Sequence, residues 1–280
     1  MSILVVNLVP EGVLFAADRN ITTTVTEQDQ GLISIVQGQS QRPKVLKWPN
    51  QEVIIGYVGA AEIYKQPTDL WLYHSIIGRN LKMGDLAPVA QSLTDQLNYA
   101  LKAHELEGSL IIHLAGFEKV SGEWRPLIYF IHNTEGLTTE GEYILGHQFI
   151  CSEEISRPIY FGNKSGNTIR GELANSVKLW RLFSFRQGHD LGAFNTFDAT
   201  IRHAMRSIVE THLKQLHPFP TTLEEWAKHS KMAVLVYGAY FEAFYPAYQQ
   251  LVGGGADVVW AAWPALRSVD HLSSDGEPDF

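Results

Sequence analysis

A chain of 280 residues, 45% of them hydrophobic, holds enough apolar material for one large domain. Its net charge of −8 argues against nucleic acid or an anionic membrane as partner, and its single cysteine, Cys151, excludes a disulfide framework and a thiolate metal site. No signal peptide is expected, since the first apolar run lacks a basic flank and is broken by Asn7, Pro10 and Glu11; no window reaches the ~18 continuous apolar residues of a spanning helix. A reducing cytoplasm fits this composition.

In chain order, residues 2–9 and 13–18 predict two strands around Val9-Pro10-Glu11-Gly12, with Pro at the second turn position and Gly at the fourth. Both strands are apolar on both faces, which predicts a sheet covered on both sides. The polar, Thr- and Gln-rich stretch 20–42 predicts a long loop or an exposed hairpin. Strands are expected near 43–48 and 52–58. From Ala60 the pattern turns helical, predicting one helix over 60–80 with a break at Pro67. A second helix has Asp85 as N-cap and carries Leu86, Val89, Leu93, Leu97 and Leu101 at helical spacing.

Strands follow at 108–116, 126–132 and 143–150, then helices at 168–184 and 198–216. Thr221-x-x-Glu224 has the form of a capping box opening a further helix, rich in aromatics between Tyr237 and Tyr248. A last strand is expected at Ala256–Ala262, and a disordered tail over 272–280. This order excludes strict βαβ alternation and predicts an α+β sandwich with helices on both outer faces. One domain is expected over 1–280, with insertions near 20–42 and 214–250.

The first hairpin carries chemistry. If Val9 pairs with Gly12, Ile3 lies opposite Asp18 and Ser2 opposite Arg19, so the Asp18 carboxylate returns beside the chain's own start. Ser2 is small enough for Met1 to be removed, which would leave Ser2 with a free α-amine. An α-amine has a pKa near ~7.7–8 and can serve as base for the hydroxyl of the same residue.

Here the stretch "SILVVNLVPEGVLFAADR" resembles the start of a mature proteasome-type β subunit, of the N-terminal nucleophile (Ntn) hydrolase family that includes the HslV-type bacterial peptidases. Ser2 to Asp18 spans 16 residues, the family's distance from nucleophile to Asp. "KVLKWPNQEVIIGYVGAAE" is similar to the family's Lys strand and Gly-x-x-Gly, with Lys44 and Gly56 12 residues apart. "GGGADVVWA" is similar to its late Gly-Gly and strand. The resemblance implies a four-layer αββα fold, amide-bond hydrolysis without a cofactor, and assembly of copies into a ring or helical array.

Carried over residue by residue, the resemblance implies Ser2 as nucleophile, where the family mostly has Thr. Lys44 would lower the pKa of the hydroxyl and keep the α-amine neutral, and Asp18 would hold Lys44. The plainer reading of that pair is a surface ion pair worth ~0–1 kcal/mol. Against it, both charges interrupt apolar strands, where an unpaired charge is costly. Gly56 would give its N–H to the oxyanion; its plainer reading is a strand-to-helix turn. Arg19 reads as structural.

A family element of Gly and Ser near the nucleophile has its nearest text in Gly162-Asn163-Lys164-Ser165-Gly166-Asn167, with Ser165 as candidate and Gly146-His147 as rival placement. The late Asp-x-x-Ser appears instead as Gln249-Gln250-Leu251-Val252. No His-Glu-x-x-His and no Gly-x-Ser-x-Gly occur, so neither a metal nor another serine-hydrolase arrangement is expected. Cys151 reads as a buried core thiol.

Trp71, Leu72, Tyr73, Trp180 and Phe183 exceed what a helix covering one sheet face needs, and predict a subunit interface in a homo-oligomer. The expected substrate is a peptide or protein; an unfoldase partner cannot be read from the residues. Two other functions stay open: a proteasome-fold subunit that assembles without cutting, and an Ntn-class amidase acting on a small molecule.

Overall fold

The computed structural model describes residues 4–9, 12–29, 32–48, 53–76, 86–120, 123–137, 143–153, 184–187, 222–244, 254–262 and 264. Ser2, Ser165, Trp180, Phe183, the helix expected at 198–216, the 272–280 tail and nearly all of the 168–184 helix lie outside them.

Strands β1 (Leu4–Val9) and β2 (Gly12–Asp18) form the opening hairpin, with Val9 opposite Gly12 and Leu4 opposite Ala17, the register expected from the turn. All seven residues of β2 are buried, as its two apolar faces require. On β2's other edge lies β13 (Ala256–Ala262), and on the other edge of β1 lies β12 (Ser184–Gln187), giving the antiparallel order β12-β1-β2-β13.

A second antiparallel sheet has the order β11-β10-β9-β6-β5, from β5 (Val45–Lys47), β6 (Ile54–Gly59), β9 (Leu110–Val120), β10 (Glu123–Leu137) and β11 (Tyr143–Glu153). The polar stretch expected as loop or hairpin is a hairpin, β3 (Asn20–Asp29) with β4 (Leu32–Gln41), paired only to each other.

The helix expected from Ala60 begins later. Residues 62–67 instead make a tight hairpin, β7 (Glu62–Ile63) and β8 (Gln66–Pro67), around Tyr64 and Lys65 at φ 53° and 58°. Helix α1 is Thr68–Ile76 and α2 is Leu86–Lys102. Helix α3 (Leu223–Phe244) opens on a capping box one residue later than expected. There Glu225 N–H donates to Thr222 Oγ1 at 3.2 Å, and Thr222 N–H donates to Glu225 Oε2 at 3.3 Å.

Strand alternation sorts the apolar residues into three clusters. Val53, Ile55, Tyr57, Leu110, Ile112 and Leu114 face α1 and α2. From the same strands, Ile54, Val58, Ile111, Ala115 and Phe117 meet Leu4, Val6, Val13, Phe15 and Ala17 of the first sheet. Leu14 packs on Trp226 and Ala227 of α3, with Val258 and Trp260 beside them. Trp71 and Leu72 belong to the first cluster, buried; of the apolar residues expected at an interface, Tyr73 is exposed. No described helix is long and apolar enough to cross a membrane.

Candidate active site

Asp18 ends β2, and Lys44 immediately precedes β5. Between them the chain runs out along β3 and back along β4, and Arg42 N–H closes the base on the Arg19 carbonyl at 3.0 Å. The hairpin therefore brings the end of a strand of the first sheet together with the residue that leads into a strand of the second. Lys44 Nζ lies 2.8 Å from Asp18 Oδ2, with the two side chains 2% and 0% exposed. Nζ also donates to the Asn20 carbonyl, an acceptor that no side-chain pattern could announce. Its third proton has no acceptor among the described residues. Burial pulls the Lys44 ammonium below the ordinary lysine value, and the Asp18 carboxylate opposes that pull.

Tyr57 fixes the backbone here. Its N–H donates to the Lys44 carbonyl at 2.9 Å, and its hydroxyl donates to the Pro43 carbonyl at 3.3 Å. Next to it, Arg42 forks onto Asp69 of α1 through Nε at 2.7 Å and through its NH2 group at 2.8 Å, a bidentate geometry that anchors the hairpin base on the helix. Burial pushes the Tyr57 hydroxyl well above the tyrosine range, so it remains a neutral donor.

Gly56 lies within β6 rather than at a strand-to-helix turn, opposite Val45 on one side and His113 on the other. Neighbouring N–H groups along an antiparallel strand point to opposite sides. Because Tyr57 N–H goes to Lys44, that of Gly56 faces β9, away from the pair. A Cβ at Gly56 would meet Leu4 Cδ1 at 2.7 Å and Phe15 Cδ2 at 3.0 Å. The glycine makes room for β1, which leads toward the chain start.

Nothing in the residue pattern marks His113, because its burial depends on register. It is 0% exposed between Phe15 (6.2 Å centroid distance, edge-on) and Phe130 (5.0 Å), and neither ring nitrogen has a hydrogen-bond partner. Burial pulls its pKa down to about 3, so the ring is neutral. Gly254 and Gly255, of the late glycine run, adopt φ +71° and +91°, and a Cβ on Gly254 would stand 2.5 Å from Asn20 Oδ1. That run thus packs against the residue whose carbonyl holds Lys44. Arg19 Nε is 3.2 Å from Asp257 Oδ2, an ion pair without hydrogen-bond alignment.

Ser2 and Ser165 cannot be placed, since both lie outside the described residues. Gly146 and His147 sit on β11, at the edge of the sheet opposite β5. Four strand spacings, roughly 19 Å, separate them from the Lys44 strand. The structure does not bring them to the pair. Cys151 is half-buried against the α1–α2 cluster rather than fully buried. Among the described residues no three His, Cys, Asp or Glu side chains could hold a metal.

No family model matches the chain, and no curated protein does. Among solved structures it is similar to a mutant of Anbu from Hyphomicrobium sp. strain MC1, at 11% identity and a TM-score of 0.30, covering 79% of this chain and 100% of that one. A likeness of that strength carries no argument about fold or activity.

Proposed function

We propose that this chain is an Ntn hydrolase of the proteasome-like class, a peptidase or amidase whose nucleophile is Ser2 freed of Met1. Three apolar clusters alternating with two sheets support the four-layer αββα order, α3 outside one sheet and α1–α2 outside the other. The single observation that carries the activity is Lys44. It is a buried ammonium that hydrogen-bonds to Asp18 and to the Asn20 carbonyl and keeps its third proton unassigned among the described residues, beside the open end of the β1–β2 hairpin, where β1 begins at Leu4, two residues after Ser2 in the sequence.

In this reading Ser2 Oγ attacks the amide carbonyl while its proton passes to the Ser2 α-amine. The Lys44 ammonium favours the developing alkoxide and, by like-charge repulsion, keeps the amine unprotonated. Collapse of the tetrahedral intermediate expels the amine product, which takes the proton back, and water then hydrolyses the ester. Gly56 supplies clearance for β1.

The test is turnover of fluorogenic peptide amides by the parent and by Ser2→Ala, with folding of both followed by circular dichroism. Loss of turnover in a folded Ser2→Ala protein is expected. Equal turnover in both, or none in either across a broad panel, would overturn the proposal.

A further inference from the structure

An open groove of about 400 Å³ lies between the β7–β8 hairpin, α1 and α2, on the outer side of the helices. Tyr64, Trp71 and Tyr99 line it together with Ser92, Asp95 and Gln96. Tyr99 is 70% exposed and Tyr64 38%, a large aromatic surface to leave in water. Trp71 is at once the floor of the groove and a member of the core, so its ring is held rigidly.

We propose that this groove, which shares no lining residue with the Asp18–Lys44 pair, binds the arginine side chain of a peptide. Three aromatic side chains line one opening, and an aromatic ring attracts a cation placed over its face through the ring quadrupole. The polar rim offers acceptors. Asp95 takes one hydrogen bond from Gln91 at 2.9 Å and pairs with no cation among the described residues, which leaves its second oxygen available. Gln96 spends its amide nitrogen on Ser92, donating to the carbonyl and to Oγ at 3.2 and 3.3 Å, so its own carbonyl oxygen is free. A guanidinium brings five planar donors and stacks on aromatic rings, matching both features; a quaternary ammonium has no donor for the rim. Lys65, the nearest cation in sequence, does not line the groove.

The turn that presents Tyr64 adds support. Tyr64 and Lys65 both hold positive φ without being Gly or Asn, a costly conformation that is retained where surrounding contacts enforce it. Tyr64 N–H donates to the Glu105 carbonyl at 2.8 Å, locking the strained residue beside the end of α2.

Acetyl-Gly-Arg-Gly amide is the probe, titrated into the intact protein at low ionic strength and followed by tryptophan fluorescence and NMR shifts. Saturable binding is expected. The same peptide with citrulline, uncharged but isosteric, should bind about two- to fivefold more weakly, as should the arginine peptide to Asp95→Asn or Tyr99→Ala. Failure of the arginine peptide to saturate, equal binding of the citrulline peptide, tighter binding of tetramethylammonium, or unchanged affinity in Asp95→Asn would each overturn the assignment. Ser2 and Lys44 play no part in this readout, so it stands or falls apart from the hydrolase proposal.

Discussion

Lys44 and Asp18 are buried together, and the Lys44 ammonium is compensated by the Asp18 carboxylate and the Asn20 carbonyl. Removing one partner leaves the other charged and buried, which typically costs about 3–5 kcal/mol. Lys44→Met should therefore lower the urea midpoint sharply, and adding Asp18→Asn should restore most of the loss. A Lys44→Met protein as stable as the parent would mean the pair is hydrated.

His113 gives a second prediction at this scale. With a folded pKa of about 3 against an ordinary 6.5, the folded ring binds fewer protons than the unfolded one throughout that window. Its contribution is fully present above pH 6.5 and is lost as pH falls toward 3, at up to roughly 1.4 kcal/mol per pH unit. His113→Phe keeps the contacts with Phe15 and Phe130 and should flatten the acid limb of a stability–pH curve; an unchanged limb would refute the burial argument. The Asp18–Lys44 pairing was implied by the resemblance of the two segments to a proteasome-type start, and the apolar setting of each charge favoured a buried pair over a surface one. Asn20 acts through its backbone and His113 through register, and neither leaves a trace in residue type.

Elements were legible where turn chemistry and apolar pattern agree. The first hairpin takes the register that pairing Val9 with Gly12 implies, and the last strand falls at Ala256–Ala262 as read. Residues 62–67 misled because their turn uses Tyr64 and Lys65 where such a turn calls for Asn or Gly. The capping box slipped by one because Thr221 and Thr222 each have a glutamate three residues on. From the strained turn follows a prediction: Lys65→Gly should stabilise the protein by about 1 kcal/mol in thermal unfolding, since glycine adopts positive φ without a Cβ penalty. Destabilisation would show that the Lys65 side chain supports the hairpin. Thr222→Ala should cost α3 about 1 kcal/mol through its lost cap, read as a lower urea midpoint; no change would mean that packing alone starts the helix.

For the whole molecule, the expected interface loses Trp71 and Leu72, which are buried in the core, and keeps Tyr73, while Trp180 and Phe183 lie outside the described residues. Among the described residues, exposed apolar side chains lie at Leu70 and Tyr73 on α1, Leu145 and Ile150 on the edge strand β11, and Met232, Leu235 and Val236 on α3. Helix α1 and helix α3 flank different sheets, so the apolar patches lie on separate faces, as head-to-tail contacts between copies require. Light scattering at micromolar concentration should give a mass several times 31.4 kDa; a clean monomer would defeat the assembly proposal.

The central claim, that Ser2 is the nucleophile, is tested most directly by trapping it. A peptide β-lactone opens when a hydroxyl attacks its carbonyl, leaving the whole reagent attached as an ester. Intact-mass and fragment analysis of the treated protein should show one adduct per chain, on Ser2 of a chain lacking Met1, and none on Ser2→Ala. Retained Met1, or an adduct on any other residue, would contradict the account.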